Sequence, residues 1–238
     1  HPRRDAHCAQ WLPPPESAQD VRYGRKRTAR YIGPRCRLCR TENKRLFLKG
    51  DKCKSDKCPI NRKRMAPGKD PKTRQKKQSE YAIQLREKQK LKRSYGLLEK
   101  QFKLTFDKAM RMPGKTGENL FALLERRLDS VVFRLRFATS RSQARQVVLH
   151  GHVLVNGKRV DVPSYTVKTG DTISIHQSYK TNKVLLASIT EHEKSGVMPW
   201  LSLDVDKLEG KFNLVPQRQD IVDMADIREQ LVVELYSK

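Results

Sequence analysis

Four cysteines carry the most specific chemistry in this chain. Cys36 and Cys39 are separated by two residues, Cys53 follows after thirteen more and Cys58 after another four, so two close pairs are joined by a short connection. A pair spaced this tightly lets both thiolates reach one tetrahedral ion at about 2.3 Å, and a second pair closes the site, which is the pattern of a structural zinc with no open catalytic position. Between the pairs, Leu46, Phe47 and Leu48 offer too little apolar mass to fold alone, so metal would supply folding energy there. Arg35, Arg37, Arg40, Lys52, Lys54 and Lys57 surround the cluster and offset the two negative charges of a four-thiolate zinc centre. An iron–sulfur cluster takes the same donors. Two disulfides or four unligated thiols are the plainer alternatives, and a reducing compartment disfavours the disulfides. Cys8 lies outside the spacing.

A second constellation is basic. Arg141 and Arg145 stand one helical turn apart beside the apolar stripe Ala144, Val147 and Val148, with Lys158 and Arg159 close behind in sequence. Backbone chemistry specifies the frame that carries them. Ser140 can accept from the first free amides of a helix while Gln143 reaches back as a capping box, and Gly151 supplies the left-handed residue that stops it. Asn156-Gly157 then makes a type I′ hairpin, whose two central residues both need positive φ, with Val153, Val155 and Val160 as the flanking strand pattern. His150 and His152 flank Gly151, where a packed or hydrogen-bonded role outweighs a catalytic one.

The charge balance points to a polyanion. The formal net charge is +25 over 238 residues and the apolar fraction is 37%. Cores should therefore be thin and helped by a bound metal or nucleic acid. Residues 201–238 hold eight acidic and five basic side chains, a net of −3, so the remaining 200 carry +28. An acidic tail avoids phosphate and suits solvent or a basic protein. No apolar run is long enough for a membrane span, and no signal-peptide core stands near the start, so a cytoplasmic location is expected. Residues 1–27, with Pro13-Pro14-Pro15 and no periodicity, read as a disordered extension.

Helices and an arm lie between these features. From Arg62 to Lys77 eight basic residues face one acid, with Pro67, Gly68 and Pro71 blocking regular structure, the composition of an arm that orders on nucleic acid. Ser79 caps a predicted helix through about Tyr95, with Tyr81, Leu85, Lys88, Leu91 and Tyr95 near one face and Gly96 at its end. Leu98, Phe102, Phe106 and Met110 repeat at helical spacing, and 119–128 reads as a further helix on Leu120, Leu123, Leu124 and Leu128. Aromatic content is 7%, and no aromatic pair stands in a strand as a base-stacking sheet would need, so these rings are packing residues.

Arg127-Leu128-Asp129 followed by SRSQARQVVLHGHVLVNGKRVDVPSY resembles the small RNA-binding domain named after small ribosomal subunit protein 4. TARYIGPRCRLCR at 28–40, SEYAIQLREKQKLKRSYGLLEKQF at 79–102, TGENLFALLERRLDSVVFRLRFA at 116–138, PWL at 199–201 and EQLVVELYSK at 229–238 extend the likeness in one register. Over residues 28–238 the chain resembles the bacterial-type family of that ribosomal protein. The resemblance implies an α+β fold: a four-cysteine metal knuckle and basic arm at 28–78, an all-helical domain at 79–125 completed by 190–238, and an inserted RNA-binding domain at 126–189 with helices on a small antiparallel sheet. It further implies binding to a multi-helix junction in the 5′ domain of small-subunit rRNA early in assembly. The neighbours it implies are ribosomal proteins three and five, at the pore through which mRNA enters. By the family's pattern the mRNA candidates fall near Arg74 and Lys77, but the usual Pro-Gly-Gln-His-Gly after the knuckle reads Pro67-Gly68-Lys69-Asp70-Pro71 here.

A junction binder reads shape, phosphates and 2′-hydroxyls, because double-helical RNA hides its base edges in a deep, narrow major groove. The expected RNA contacts are Arg86, Lys90, Arg93, Arg126 and Arg127 from the first part, and Ser140, Arg141, Arg145, His150, Lys158 and Arg159 from the second. Two rivals stand beside this reading. Arg127-Leu128-Asp129 also fits a pseudouridine synthase, although Asp129 reads as a helix N-cap and the segment behind the RNA-binding domain is too small for a separate catalytic fold. A zinc-dependent DNA-binding regulator would need a recognition helix after the knuckle, where Pro67 and Pro71 stand. No small-molecule substrate and no enzymatic activity are expected, and a cytoplasmic ribosome is preferred over an organellar one.

Overall fold

The computed structural model describes residues 30–68, 77–193 and 196–237. The extension at 1–27, the arm residues Lys69, Lys72, Arg74 and Lys76, and thus one of the two mRNA candidates lie outside the described residues. Two short helices, α1 (Arg35–Glu42) and α2 (Asp51–Lys54), carry Cys36, Cys39 and Cys53. Then follow α3 (Glu80–Ser94), α4 (Glu99–Arg111), α5 (Thr116–Glu125), α6 (Leu128–Arg134) and α7 (Arg141–Leu149). Strands β1 (Val153–Val155), β2 (Lys158–Arg159) and β3 (Thr172–Ile175) precede α8 (Gln177–Lys180) and α9 (Lys183–Glu193), and β4 (Leu201–Asp204), β5 (Glu209–Phe212) and α10 (Glu229–Ser237) close the fold. The architecture is α+β, with one antiparallel sheet in the order β2-β1-β3-β5-β4.

Local signals set most helix ends. Ser79 Oγ accepts from the Ala82 amide at 3.3 Å to start α3, and Gly96, at φ +66°, lies just beyond its end. Along α3, Leu91 and Tyr95 are buried as expected, whereas Tyr81, in the first turn, is 60% exposed. On α4 the buried positions are Phe102, Phe106 and Ala109. Met110, expected in that stripe, is rotated off it and is 60% exposed. The expected single helix over 119–128 is two elements, for Arg127 takes extended dihedrals (φ −68°, ψ 138°) and bridges to Thr166 before α6 starts. Residues further back, from Thr116, start α5, and the Asn119 amide holds the preceding loop by donating to Pro113 O at 3.0 Å.

Residues 190–238, expected to return to the helical domain, divide between both parts. β5 pairs with β3 through Ile173 and Gly210 and extends the sheet behind the hairpin, while α10 packs on α3 and α5. A side chain at Gly210 would strike Leu135 within 3.0 Å, so helix α6 and the sheet approach closely there. On the helical side, Tyr236 of α10 stacks on Phe106 with ring centroids 4.6 Å apart. One continuous core runs from Phe102 and Leu120 through Leu128 and Val148 to Ile173 and Phe212. The helices and the sheet thus share one interior, which fixes the elements bearing the basic residues relative to each other.

Candidate nucleic-acid interface

The helix and hairpin at 140–160 form as the turn chemistry predicts. Ser140 Oγ accepts from the Gln143 amide at 3.4 Å. The reciprocal half of the box shifts by one residue, since Gln143 Oε1 accepts from the Thr139 amide at 3.0 Å and from its hydroxyl at 2.7 Å. Gly151 sits at φ +67°, and Asn156 and Gly157 at +50° and +77°, the positive pair a type I′ turn requires. The Asn156 side chain also locks the turn to β3: it donates to Asp171 at 2.9 Å and accepts from the Thr172 amide at 2.9 Å. On this frame Lys158 is exposed with no partner among the described residues, and Arg159 donates to His150 O at 3.0 Å from an exposed position. The exposed His150 ring meets the Gln146 amide at 2.7 Å and lies edge-on to His152, which stacks on Tyr179 at 4.6 Å. Burial, then the charges of His150 and Arg159, lower the His152 pKa, so the ring stays neutral at physiological pH.

Most of the other expected RNA contacts are tied to buried carboxylates. Glu42, whose side chain is fully buried, receives Arg93 and, at 3.3 Å, Arg86. Lys90 pairs with Glu87 at 2.6 Å. Arg127 grips Asp129 with two hydrogen bonds, 3.1 Å and 2.8 Å, and Arg145 approaches the same carboxylate at 3.5 Å. Asp129 therefore lies inside α6 as the acceptor of two guanidinium groups; the expected N-cap position belongs to Arg127. Arg126, partly exposed, donates to Val167 O at 3.1 Å. Exposed Lys77 stands at the edge of the undescribed arm.

Sequence reasoning missed the centre of this network. Glu125 is fully buried at the end of α5, where it accepts from Arg134 at 2.7 Å and 3.0 Å and from the Tyr95 hydroxyl at 2.6 Å. Arg141 reaches it at 3.4 Å while lying 4.6 Å over the Tyr95 ring and 4.7 Å over Phe133. Arg134 also meets Asp223 from the C-terminal segment. Burial alone would raise the Glu125 carboxyl, yet the guanidinium of Arg134, followed by that of Arg141, holds it below the usual carboxylate range. Burial, with Glu125 beside it, pushes the Tyr95 hydroxyl well up, so Tyr95 stays a donor. One network thus ties α3, α5, α6, α7 and the C-terminal segment, and Arg141 is half of an interdomain latch. A carboxylate ending an apolar stripe, Leu120 to Leu124, was the one signal that could have marked it.

Arg35, Arg93, Arg141 and Arg145 line a small cavity of about 60 Å³ beside Ser94 and Asp129. The Nε atoms of Arg141 and Arg145 are buried without an acceptor among the described residues. Burial, then the neighbouring Arg30, lowers the Arg35 pKa; burial, partly opposed by Asp129, does the same at Arg145.

Cys39, Cys53 and Cys58 are buried and Cys36 half-buried, all as free thiols. They are neighbours: burial pushes the Cys39 thiol up, a backbone bond from Leu46 opposes it, and the charges of Cys53, Cys36 and Cys58 add to the rise. The Lys49 amide points at Cys53 Sγ at 3.4 Å. Among the described residues no three His, Cys, Asp or Glu side chains converge closely enough to hold a metal ion, so the four thiols as placed do not form a ligand set.

Known proteins match most of the chain. The family "Ribosomal protein S4/S9 N-terminal domain" matches residues 30–125, and the "S4 domain" family matches 126–173. Small ribosomal subunit protein uS4 of Trichlorobacter lovleyi is 54% identical over 210 residues, covering 88% of this chain and all of that protein. The proteins of the same name from Desulfotalea psychrophila and Halothermothrix orenii are 53% and 52% identical, over 88% of this chain and 99% and 100% of their own lengths. Identity at this level over 88% of this chain and nearly the whole of those relatives, together with both domain families, means that the chain belongs to the uS4 family of small ribosomal subunit proteins.

Proposed function

We propose that this chain is a structural constituent of the small ribosomal subunit that binds 16S-type rRNA at a multi-helix junction of the 5′ domain and helps nucleate assembly of the subunit body. The observation that carries the reading is the locked hairpin: Asn156 fixes the turn to β3, so that Lys158 and Arg159 are presented from a rigid edge at little ordering cost. The latch at Glu125 supports it, because a shape-reading protein needs its two basic surfaces held at a fixed separation. The chain performs no chemistry. Its relatives carry the name of a ribosomal protein, and Asp129, the one residue in a pseudouridine-synthase context, is buried under Arg127 and Arg145. In the assembled subunit the reading puts Lys77 and Arg74 at the pore through which mRNA enters, with ribosomal proteins three and five alongside. The acidic C-terminal segment would face protein five and contribute to translational accuracy.

The direct test is co-sedimentation with small subunits after a high-salt wash, together with filter binding to 5′-domain rRNA across a salt series. Several phosphate contacts make log K fall steeply with log salt. Protein that sediments free, or a flat salt dependence, overturns the proposal.

Zinc on Cys36, Cys39, Cys53 and Cys58 belongs to the same proposal. The donor set has the right chemistry, three of its thiols are buried, and the Lys49 amide already points at a sulfur, as a thiolate would require. Bound metal would cross-link α1, α2 and the turn that carries Cys58. Mass spectrometry of the native protein with an absorption spectrum distinguishes zinc from iron–sulfur, and a folded, colourless, metal-free protein removes the assignment.

A further inference from the structure

The basic residues paired with buried carboxylates leave a question of where the remaining charge is presented, and α4 answers it. Lys100, Lys103, Lys108 and Arg111 are all exposed on one side of this helix, spread over roughly 16 Å at 1.5 Å per residue. None of the four has a hydrogen-bond or ion-pair partner among the described residues, in contrast to Arg86, Lys90, Arg93, Arg127 and Arg145. The single acid between them, Asp107, stands four residues from both Lys103 and Arg111, yet it forms no ion pair with either and is half-buried. Glu99, at the start of the helix, is already taken by Lys88 and Lys92. Lys100 with Lys103, and Lys108 with Arg111, are like-charge neighbours one turn apart, a spacing that weakens a helix unless an anion covers it. Leu104 at 59% and Met110 at 60% exposure lie uncovered on the same helix.

We infer that the outer face of α4 is a second RNA-docking surface, separate from the hairpin, that lies along the phosphate backbone of a double-helical rRNA segment. This rests on the RNA-binding reading above and adds a site to it. Charge complementarity selects the occupant: four unpaired cations around a single half-buried acid, Asp107, leave a net positive face that fits a row of phosphates. Three of the four are lysines, point charges that suit phosphate contacts, whereas the bidentate arginine forks of this chain are spent on its own carboxylates. Leu104 and Met110 can pack against ribose in the wide, shallow minor groove, where double-stranded RNA is read by shape.

Filter binding of small-subunit rRNA across a salt series tests it, with the full chain compared with Lys100→Gln/Lys103→Gln/Lys108→Gln/Arg111→Gln. Each lost phosphate contact lowers the log–log slope by roughly 0.7–0.9, so the quadruple variant should lose about 3. Lysine acetylation of the unaltered protein is the second measurement: Lys100, Lys103 and Lys108 should be protected in the RNA complex. It stands even if the variant fails to fold. An unchanged slope with unprotected lysines overturns the α4 surface and leaves the RNA reading intact. Protection that appears only when other ribosomal proteins are added to the RNA complex also overturns it, since the face would then serve a protein. Absence of rRNA binding by the unaltered chain defeats the reading on which the inference rests.

Discussion

Replacing Glu125 by Gln keeps its shape and one acceptor while deleting the charge at the centre of the latch. Arg134 has a side chain only 1% exposed and would be left with Asp223, which is 46% exposed and hydrated. Arg141 would keep its aromatic stacking but no carboxylate. Breaking a buried pair by removing one partner costs about 3–5 kcal/mol, because the surviving charge stays desolvated. For a chain of this size each kcal/mol lowers Tm by about 2–4 °C, so a fall on the order of 10 °C is expected by calorimetry, with a matching loss in urea midpoint. Glu125→Leu/Arg134→Met should recover much of it, since well-packed apolar groups often replace a buried pair without loss. Lys115→Gln removes a pair that is 83% and 50% exposed and should change nothing measurable. The acid limb supplies a second readout. The Glu125 carboxyl titrates below its unfolded value, so its contribution is complete above about pH 4.5 and is lost as pH falls toward its folded pKa. Glu125→Gln should flatten that limb. A variant within about 1 kcal/mol of the parent would refute the claim that this network holds the two parts together.

Asn156→Ala removes both the donor to Asp171 and the acceptor for the Thr172 amide, and it puts at φ +50° a residue that tolerates the left-handed region less well than Asn. A loss of about 1–3 kcal/mol in urea unfolding is expected, with weakened rRNA binding through a loosened hairpin; unchanged stability would show that the turn is not locked by this side chain. Burial alone would raise the Glu99 carboxyl, yet hydrogen bonds from Lys88, Lys92 and the Tyr236 hydroxyl hold it down to about 2. Carboxyl carbon NMR should show it ionised down to about pH 3, with its stabilising contribution present above the unfolded value and lost as pH drops toward 2. A Glu99 midpoint at the ordinary value of 4.5 would show that the three-way contact does not persist in solution.

Local backbone chemistry was legible in the residues: Ser79, Ser140, Gly96, Gly151 and Asn156-Gly157 each do at their own positions what sterics and capping demand. The same holds for the apolar stripe of Phe102 and Phe106. What was not legible depends on partners distant in sequence. Arg86 and Arg93 look like free cations until Glu42, 44 and 51 residues away, is folded against them. Arg141 looks like a clamp for phosphate until Glu125 and Tyr95 surround it. A basic chain that buries carboxylates among its arginines hides the pairing from composition, which counts charges without locating them. The sheet edge posed a similar problem, for nothing in residues 201–212 says that they pair with β3 instead of following the helices.

The return of α10 to the first helices bears on how the chain is made. Contacts of this helix and of the residue before it link positions far apart: Tyr236 to Glu99 across 137 positions, Arg228 to Glu87 across 141 and Glu234 to Gln84 across 150. During synthesis at about 5–20 residues per second, on the order of ten seconds separates α3 and α4 from the helix that covers them. For that interval the groove that will receive Tyr236, lined by Phe102 and Phe106, stands open on a nascent chain already rich in exposed lysine. Such non-local closure is slow by topology alone. The nascent helical part is thus an adhesive, cationic intermediate, and whatever reaches it first, a chaperone or rRNA, competes with its own last helix.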